Sequence, residues 1–250
     1  MNKVAIVVLS KYQDIFDGFC DNLLAAGISQ EVPRILVRDG HELSTQRLTP
    51  HWIVIQGPPK FSMAGNANLG WRCAARFGFD VLYCGDDVRF TGPTVAIMRE
   101  LAYSDSRLGI LSPRIHGGAN NLLQLKPGAI DLVYVHKLCF PCVYIKRELI
   151  ERIGYLDESL TPTPDSYGFD DDDYCRRAQL SGFRLAVTGR VAVEHPAQAM
   201  STFRRNHAGD VAPVQAAMAE GRARYERKWN QAAGGSGQQP SASCVPPPAR

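Results

Sequence analysis

The chain has 250 residues, 45% of them hydrophobic and 21% charged, shares that exclude a mainly disordered chain, a fibrous one or a mini-protein held by staples. That length allows one large domain or two small ones. The formal net charge of +3, from 28 Lys and Arg against 25 Asp and Glu, is too small to argue by itself for nucleic acid or an anionic membrane.

The apolar run Val4 to Leu9 is too short to span a membrane and no cleavage site follows it, so it reads as a buried strand. A helix is predicted over Asp14 to Ala26, stopped by Gly27, then strands at Arg34 to Val37 and Trp52 to Ile55. Gly65-Asn-Ala-Asn68-Leu-Gly70 is expected to open a helix running over about Ala67 to Phe77, a geometry suited to a backbone that approaches a ligand. The strand Val81 to Tyr83 ends at Gly85-Asp86-Asp87. Short apolar runs alternating with helical patterns predict βα units and a mainly parallel sheet.

The second half reads as a helix near Thr94 to Tyr103, strands at Leu108 to Leu111, Leu132 to Val135 and Cys142 to Ile145, and a helix over Arg147 to Ile153. Residues 157 to 173 form a long polar loop carrying seven acidic side chains, followed by a helix through Leu180. Two strands, Arg184 to Val187 and Val191 to Glu194, lead to His195; a helix is expected over Pro213 to Trp229 and a disordered tail over 231–250. Seven cysteines, an odd number without a secreted-domain framework, favour reduced thiols and a cytoplasmic location. Cys139-Phe-Pro-Cys142 lies in a strand-like run with no second pair to complete a zinc site, and reads as core.

Three features carry chemistry. Asp86 and Asp87 follow a buried strand, where an open parallel sheet binds ligands, and adjacent carboxylates there suit Mg²⁺ or Mn²⁺ completed by water and phosphate oxygens; a solvated turn is the plainer reading. Four consecutive like charges at Asp170 to Asp173 repel unless a helix N-terminus, a cation or solvent compensates, and a helix does begin there, with Arg176 and Arg177 placed to pair with some of them. On that helix Asp170 and Asp173 share one face. His195 closes an apolar strand and either completes a metal site or is a hydrogen-bonded edge residue. The fingerprints of dinucleotide and P-loop proteins are both missing.

Taken in order, these pieces resemble family-2 glycosyltransferases of the GT-A fold, from Val4 to about Trp229. Val8-Leu-Ser10-Lys-Tyr12-Gln13 resembles the family's first-strand motif, and Val37-Arg38-Asp39-Gly-His41 its Val-Asp-Asp-Gly-Ser. Asn68-Leu-Gly70 resembles its Asn-x-Gly, and Gly85-Asp86-Asp87 falls where a DxD motif belongs. Gly168-Phe-Asp170-Asp171-Asp-Asp-Tyr-Cys-Arg-Arg177 resembles Gly-x-Glu-Asp-x-Asp-Leu-x-x-Arg, Val193-Glu-His195 resembles a late Val-x-His, and Tyr225 to Trp229 resembles a common family ending. The departures are Gly85 at the first Asp of DxD, Arg38 at one of two acidic positions, and Asp170 in place of Glu.

The resemblance implies a single α/β GT-A domain over residues 1–230, a mainly parallel mixed sheet flanked by helices, with a nucleotide-sugar half (1–88) and an acceptor half (89–230). It implies transfer from a nucleotide-diphosphate sugar to an acceptor hydroxyl on a glycan, lipid-linked sugar, protein or modified nucleic-acid base. Ser10, Tyr12, Asp39, Asn68, Gly70, Asp86 and Asp87 are then donor contacts. Asp87 and His195 hold Mn²⁺ or Mg²⁺, Asp171 is the general base of an inverting reaction, and Asp170, Tyr167 and Phe169 lie toward the acceptor. From their residue type, Tyr167, Phe169 and Trp71 could stack on a sugar ring or a base, although aromatics beside a loop are more often packing. Rival readings are a sugar nucleotidyltransferase, or a non-catalytic nucleotide-sugar or carbohydrate-binding domain. The basic residues 204, 205, 222, 224, 227 and 228 read as phosphate contacts or, more simply, a solvated helix face.

Overall fold

A computed structural model describes residues 3–39, 42–58, 62–117, 122–125, 131–163, 165–195 and 212–234. Nine strands form one sheet: β1 (Val4–Ser10), β2 (Arg34–Asp39), β3 (Trp52–Gly57), β4 (Asp80–Gly85), β5 (Arg89–Phe90), β6 (Leu108–Gly117), β7 (Leu132–Val135), β8 (Cys142–Ile145) and β9 (Arg184–His195). Their order is β3-β2-β1-β4-β8-β6-β9-β5, with β7 also paired to β9. Strands β1, β2, β3, β4, β6 and β9 point one way and β5, β7 and β8 the other. The sheet is thus the expected mainly parallel, mixed one.

Strand β1 shows why it lies at the centre. Its side chains alternate between two buried layers, so both of its faces must be apolar. Val4, Ile6 and Val8 pack with Phe16, Phe19 and Leu23 of α1 (Gln13–Ala25) and Met98 and Leu101 of α3 (Thr94–Ala102). Ala5 and Val7 pack on the other face with Ala67, Trp71 and Ala74 of α2 (Met63–Arg76), Leu149 of α5 (Arg147–Ile153), and Tyr174 and Ala178 of α6 (Asp170–Leu180). A one-turn α4 (Leu122–Leu125) and a long α7 (Ala212–Gly234) complete the described elements.

Several boundaries differ from the sequence reading for identifiable reasons. Helix α2 starts at Met63, capped by Ser62, whose Oγ accepts from the Gly65 amide at 3.1 Å. Gly65 to Gly70 therefore lie inside the helix, and no open glycine loop faces a ligand. The two strands expected before His195 are one, because its pairing with β6 shifts register at Pro113, so that Thr188 and Ala192 oppose consecutive residues. Helix α7 runs on to Gly234, into the stretch read as tail; residues 235–250, with Arg204 and Arg205, lie outside the described residues. No described helix is long and apolar enough to cross a membrane. The six described cysteines are unbridged, and the Cys139–Cys142 pair is buried as core, with Cys142 on β8 facing Cys84 of β4.

Candidate functional site

Because five of the central strands run the same way, their carboxyl ends meet along one edge, where side chains leave the ladder and can face a ligand. The Ser10 hydroxyl at the end of β1 donates to Asp86 Oδ2 at 2.5 Å, joining the ends of β1 and β4. Asp39 at the end of β2 accepts from Asn66 Nδ2 at 2.7 Å. Asn66 is wholly buried against Gly57, where a Cβ would stand 2.3 Å from its Oδ1. Tyr12 forms the extended N-cap of α1 directly after β1. At the far end of β9, His195 Nε2 lies 3.5 Å from Asp87 Oδ1.

The turn carrying the two carboxylates is built from both sides. Arg89 Nη1 donates to the carbonyls of Asp86 and Val88 at 2.9 and 3.1 Å. Asp87 folds back over residue 85, where a Cβ would lie 2.6 Å from its Oδ1. Glycine at this position, where the DxD pattern has aspartate, leaves the Asp87 carboxylate room to fold back in this way. A cleft of about 790 Å³ opens beside this pair, lined by Arg89, Arg114, His116 and Glu194 among others.

The acidic run separates into two pairs with different partners. Asp173 is fully buried, receives Arg177 Nε at 2.7 Å and Trp229 Nε1 at 3.1 Å, and lies 2.6 Å from Lys228 Nζ. Asp172 pairs with Lys137 at 2.6 Å. Neither Asp170 nor Asp171 has a cation at ion-pair distance among the described residues. Burial pushes the Asp171 carboxyl well above the usual aspartate range; the charges of Asp170 and Asp172 push further, against the Asp172 amide, which donates to Asp171 Oδ1 at 2.9 Å, and against Lys137. Burial also raises Asp170, opposed by backbone amides.

Two tyrosines, one of them on β4, feel the charge of this pair. Tyr83, on β4, is raised by burial and by the charges of Asp170, Asp39 and Asp171 among others, and Tyr167 by burial and the charges of Asp171, Asp170 and Asp87 among others. Coulombic influence of that kind needs proximity. Asp170 and Asp171 thus act on both tyrosines, with Asp39 near Tyr83 and Asp87 near Tyr167.

No family model and no curated protein matches the chain. Solved structures do. One of GalNAc-T7 with UDP, GalNAc and Mn²⁺ superposes with a TM-score of 0.62 at 11% identity, covering 78% of this chain and 44% of that one. Another, of S. aureus TarS residues 1–349 in complex with UDP, gives 0.57 at 14% identity, covering 78% and 61%. The chain has the GT-A fold. It spans less than two thirds of either structure's length.

Within this GT-A sheet, not every residue singled out in the sequence reaches the site. The Asn68 carboxamide is committed to a loop: it donates to the Leu156 carbonyl and Glu158 Oε1 and accepts from the Leu156 amide. Gly70 faces the sheet, where a Cβ would stand 2.3 Å from Val7 Cγ1, so it sets how closely α2 lies on β1. Trp71 is fully buried between Tyr83 and Tyr174, with no surface for a sugar ring. Phe169 turns under α7 and packs on Tyr225 at 5.8 Å. Of the basic residues read as a solvated face, Arg224 and Lys228 bond into the loop before α6, while Arg176 stacks on Trp229 instead of pairing with an aspartate. Sequence reasoning missed Asn66 and Lys137, whose partners are distant in the chain, and Arg89, which bonds the turn just before it; Asn66, two residues before the motif asparagine, had no signal of its own.

The donor set fits a divalent cation of the harder kind. A carboxylate and an imidazole 3.5 Å apart are spaced as neighbours around one ion, and such ions commonly take one or two protein carboxylates and complete the shell with substrate oxygens. No cluster of three or more ligating side chains occurs among the described residues, so the remaining positions would fall to phosphate and water.

Proposed function

We propose that the protein is a nucleotide-sugar glycosyltransferase of the family-2 kind, using a UDP-sugar donor and a hydroxyl acceptor with inversion at the anomeric carbon. What supports this reading is the set of side chains at the strand ends of a GT-A fold, with Asp39 held by Asn66, Asp86 held by Ser10 and Asp87 beside His195, together with an Asp171 carboxyl that burial raises. UDP is proposed because both similar structures contain it.

In this reading Asp39, held by Asn66, accepts from the nucleobase, and Asp86, held by Ser10, faces the ribose and diphosphate. Asp87 and His195 would hold Mn²⁺ or Mg²⁺, which supplies Lewis acidity toward the leaving diphosphate. The acceptor hydroxyl gives its proton to the Asp171 carboxylate as its oxygen bonds to the anomeric carbon, and the bond to the diphosphate breaks with the electron pair leaving on UDP. A base raised from the usual aspartate range toward working pH is better matched to that proton than an ordinary carboxylate. Asp170 and Tyr167 stand beside it, on the acceptor side.

The test is a screen of UDP-sugars with Mn²⁺ for hydrolysis and transfer, repeated with Asp171→Asn. Expected is turnover of at least one donor, with the variant binding donor normally but transferring at least about a hundredfold more slowly. Equal turnover in the variant removes Asp171 from the role. Donor binding without turnover over a broad acceptor panel would favour a binding domain, and pyrophosphate release from a nucleoside triphosphate and a sugar phosphate would favour a nucleotidyltransferase.

A further inference from the structure

Among its described residues the segment between Asp157 and Phe169 has no helix or strand of its own, yet it carries Tyr167 and delivers the chain to Asp170 and Asp171. It is held from outside by α7, which lies more than forty residues further along the chain. Lys228 Nζ bridges the two ends, 2.6 Å from Asp157 Oδ2 and 2.6 Å from Asp173 Oδ1. Arg224 Nη1 donates to the Leu160 carbonyl at 3.4 Å. At buried Gly221 the helix backbone lies so close to the loop that a Cβ would stand 2.6 Å from the Tyr167 carbonyl oxygen and 3.0 Å from that of Gly168.

Backbone conformation at the helix start explains why such a clamp is needed. Phe169 is the one described residue other than glycine with a positive φ, 72°, a left-handed conformation that is unfavourable for a bulky side chain and persists only where its surroundings impose it. Its ring is wedged against Tyr225 of α7 and against Gly221. Relaxing Phe169 would re-aim the first turn of α6, and with it Asp171.

We infer that Lys228 is a positioning residue for Asp171: by tying Asp157 to Asp173 it fastens α7 across the loop and imposes the backbone turn from which the base projects. The inference rests on the glycosyl-transfer reading for Asp171. Lys228 itself touches neither the strand ends nor the Asp87–His195 pair, so its loss should act on the reaction and not on donor capture.

The full chain carrying Lys228→Met is compared with wild type and Lys228→Arg. Expected for Lys228→Met is a fall in kcat of about 10- to 100-fold, as for a misplacement near 1 Å, with donor KM within about twofold. Faster amide hydrogen exchange should be confined to 157–170, and Lys228→Arg should restore most of both. Wild-type kcat in Lys228→Met, or lost kcat with unchanged exchange over 157–170, overturns the inference. Should Lys228→Met not fold, Gly221→Ala lifts the same helix without a change of charge and must give the same split between kcat and KM. If wild type transfers no sugar at all, the reading of Asp171 fails; unchanged exchange in both variants, by contrast, defeats the clamp itself.

Discussion

A buried carboxamide decides how Asp39 is presented. The Asn66–Asp39 bond at 2.7 Å has a charged acceptor, and bonds of that class are worth about 1.5 to 3 kcal/mol. Asn66→Ala should therefore raise donor KM roughly tenfold or more with kcat little changed, read from initial rates over a donor titration. Asp171 makes a second prediction at this scale. Its folded value lies above the ordinary 3.8, so the neutral form is favoured by folding. That contribution is complete below the unfolded value and is lost as pH rises through the raised one. Asp171→Asn stays neutral throughout, so its Tm should exceed that of wild type by an increasing margin as pH rises from about 5 to about 9. A margin independent of pH would show that burial does not raise this group.

Among the elements, α2 shows how helix spacing serves the site. Gly70 is a packing residue: there the helix lies so close to β1 that a Cβ would meet Val7, and Asn66, one turn earlier, reaches Asp39. Gly70→Ala inserts a methyl 2.3 Å from Val7 Cγ1. Overpacking of that kind costs about 1 to 3 kcal/mol, which for a chain this long is a fall in Tm of roughly 2 to 12 °C by differential scanning calorimetry. An unchanged Tm would mean that α2 can slide outward freely. Strand β9 is the other decisive element, since its bulge beside Pro113 keeps one strand continuous to His195.

Across the whole molecule, the sheet edge collects polar side chains from strands remote in the chain. Asp39 ends β2, Asp86 and Asp87 follow β4, and His195 ends β9 beside Asp87, while Lys137 and Lys228 pair with Asp172 and Asp173. A carboxylate and an imidazole side by side suit a bound divalent cation. Transfer should cease in excess chelator and return with added Mn²⁺. His195→Ala should need at least roughly tenfold more Mn²⁺ for half-maximal rate, since even losing a residue behind a ligand costs that much. Full activity in chelator would remove Asp87 and His195 from this role.

The strand and helix order was legible in the sequence because a sheet buried on both faces writes its strands as unbroken apolar runs such as Val4 to Leu9, and because α1 and α6 repeat at helical spacing. The acidic positions were legible too, since Asp86, Asp87 and Asp170 to Asp173 stand at element boundaries where charge must have a reason. Helical spacing placed Asp170 and Asp173 on one face, and those two are the buried ones, although which face turns inward was not written in the run. What no local pattern contains is the choice among chemically equivalent side chains. Asn66 rather than Asn68 meets Asp39, Phe169 turns under a helix instead of toward a ligand, and Lys228 closes a bridge between residues 55 and 71 positions away. Those outcomes depend on how closely α2 and α7 approach the sheet and the loop, distances set by Gly70 and Gly221 through packing between segments remote in the chain, and only the folded molecule brings such segments together.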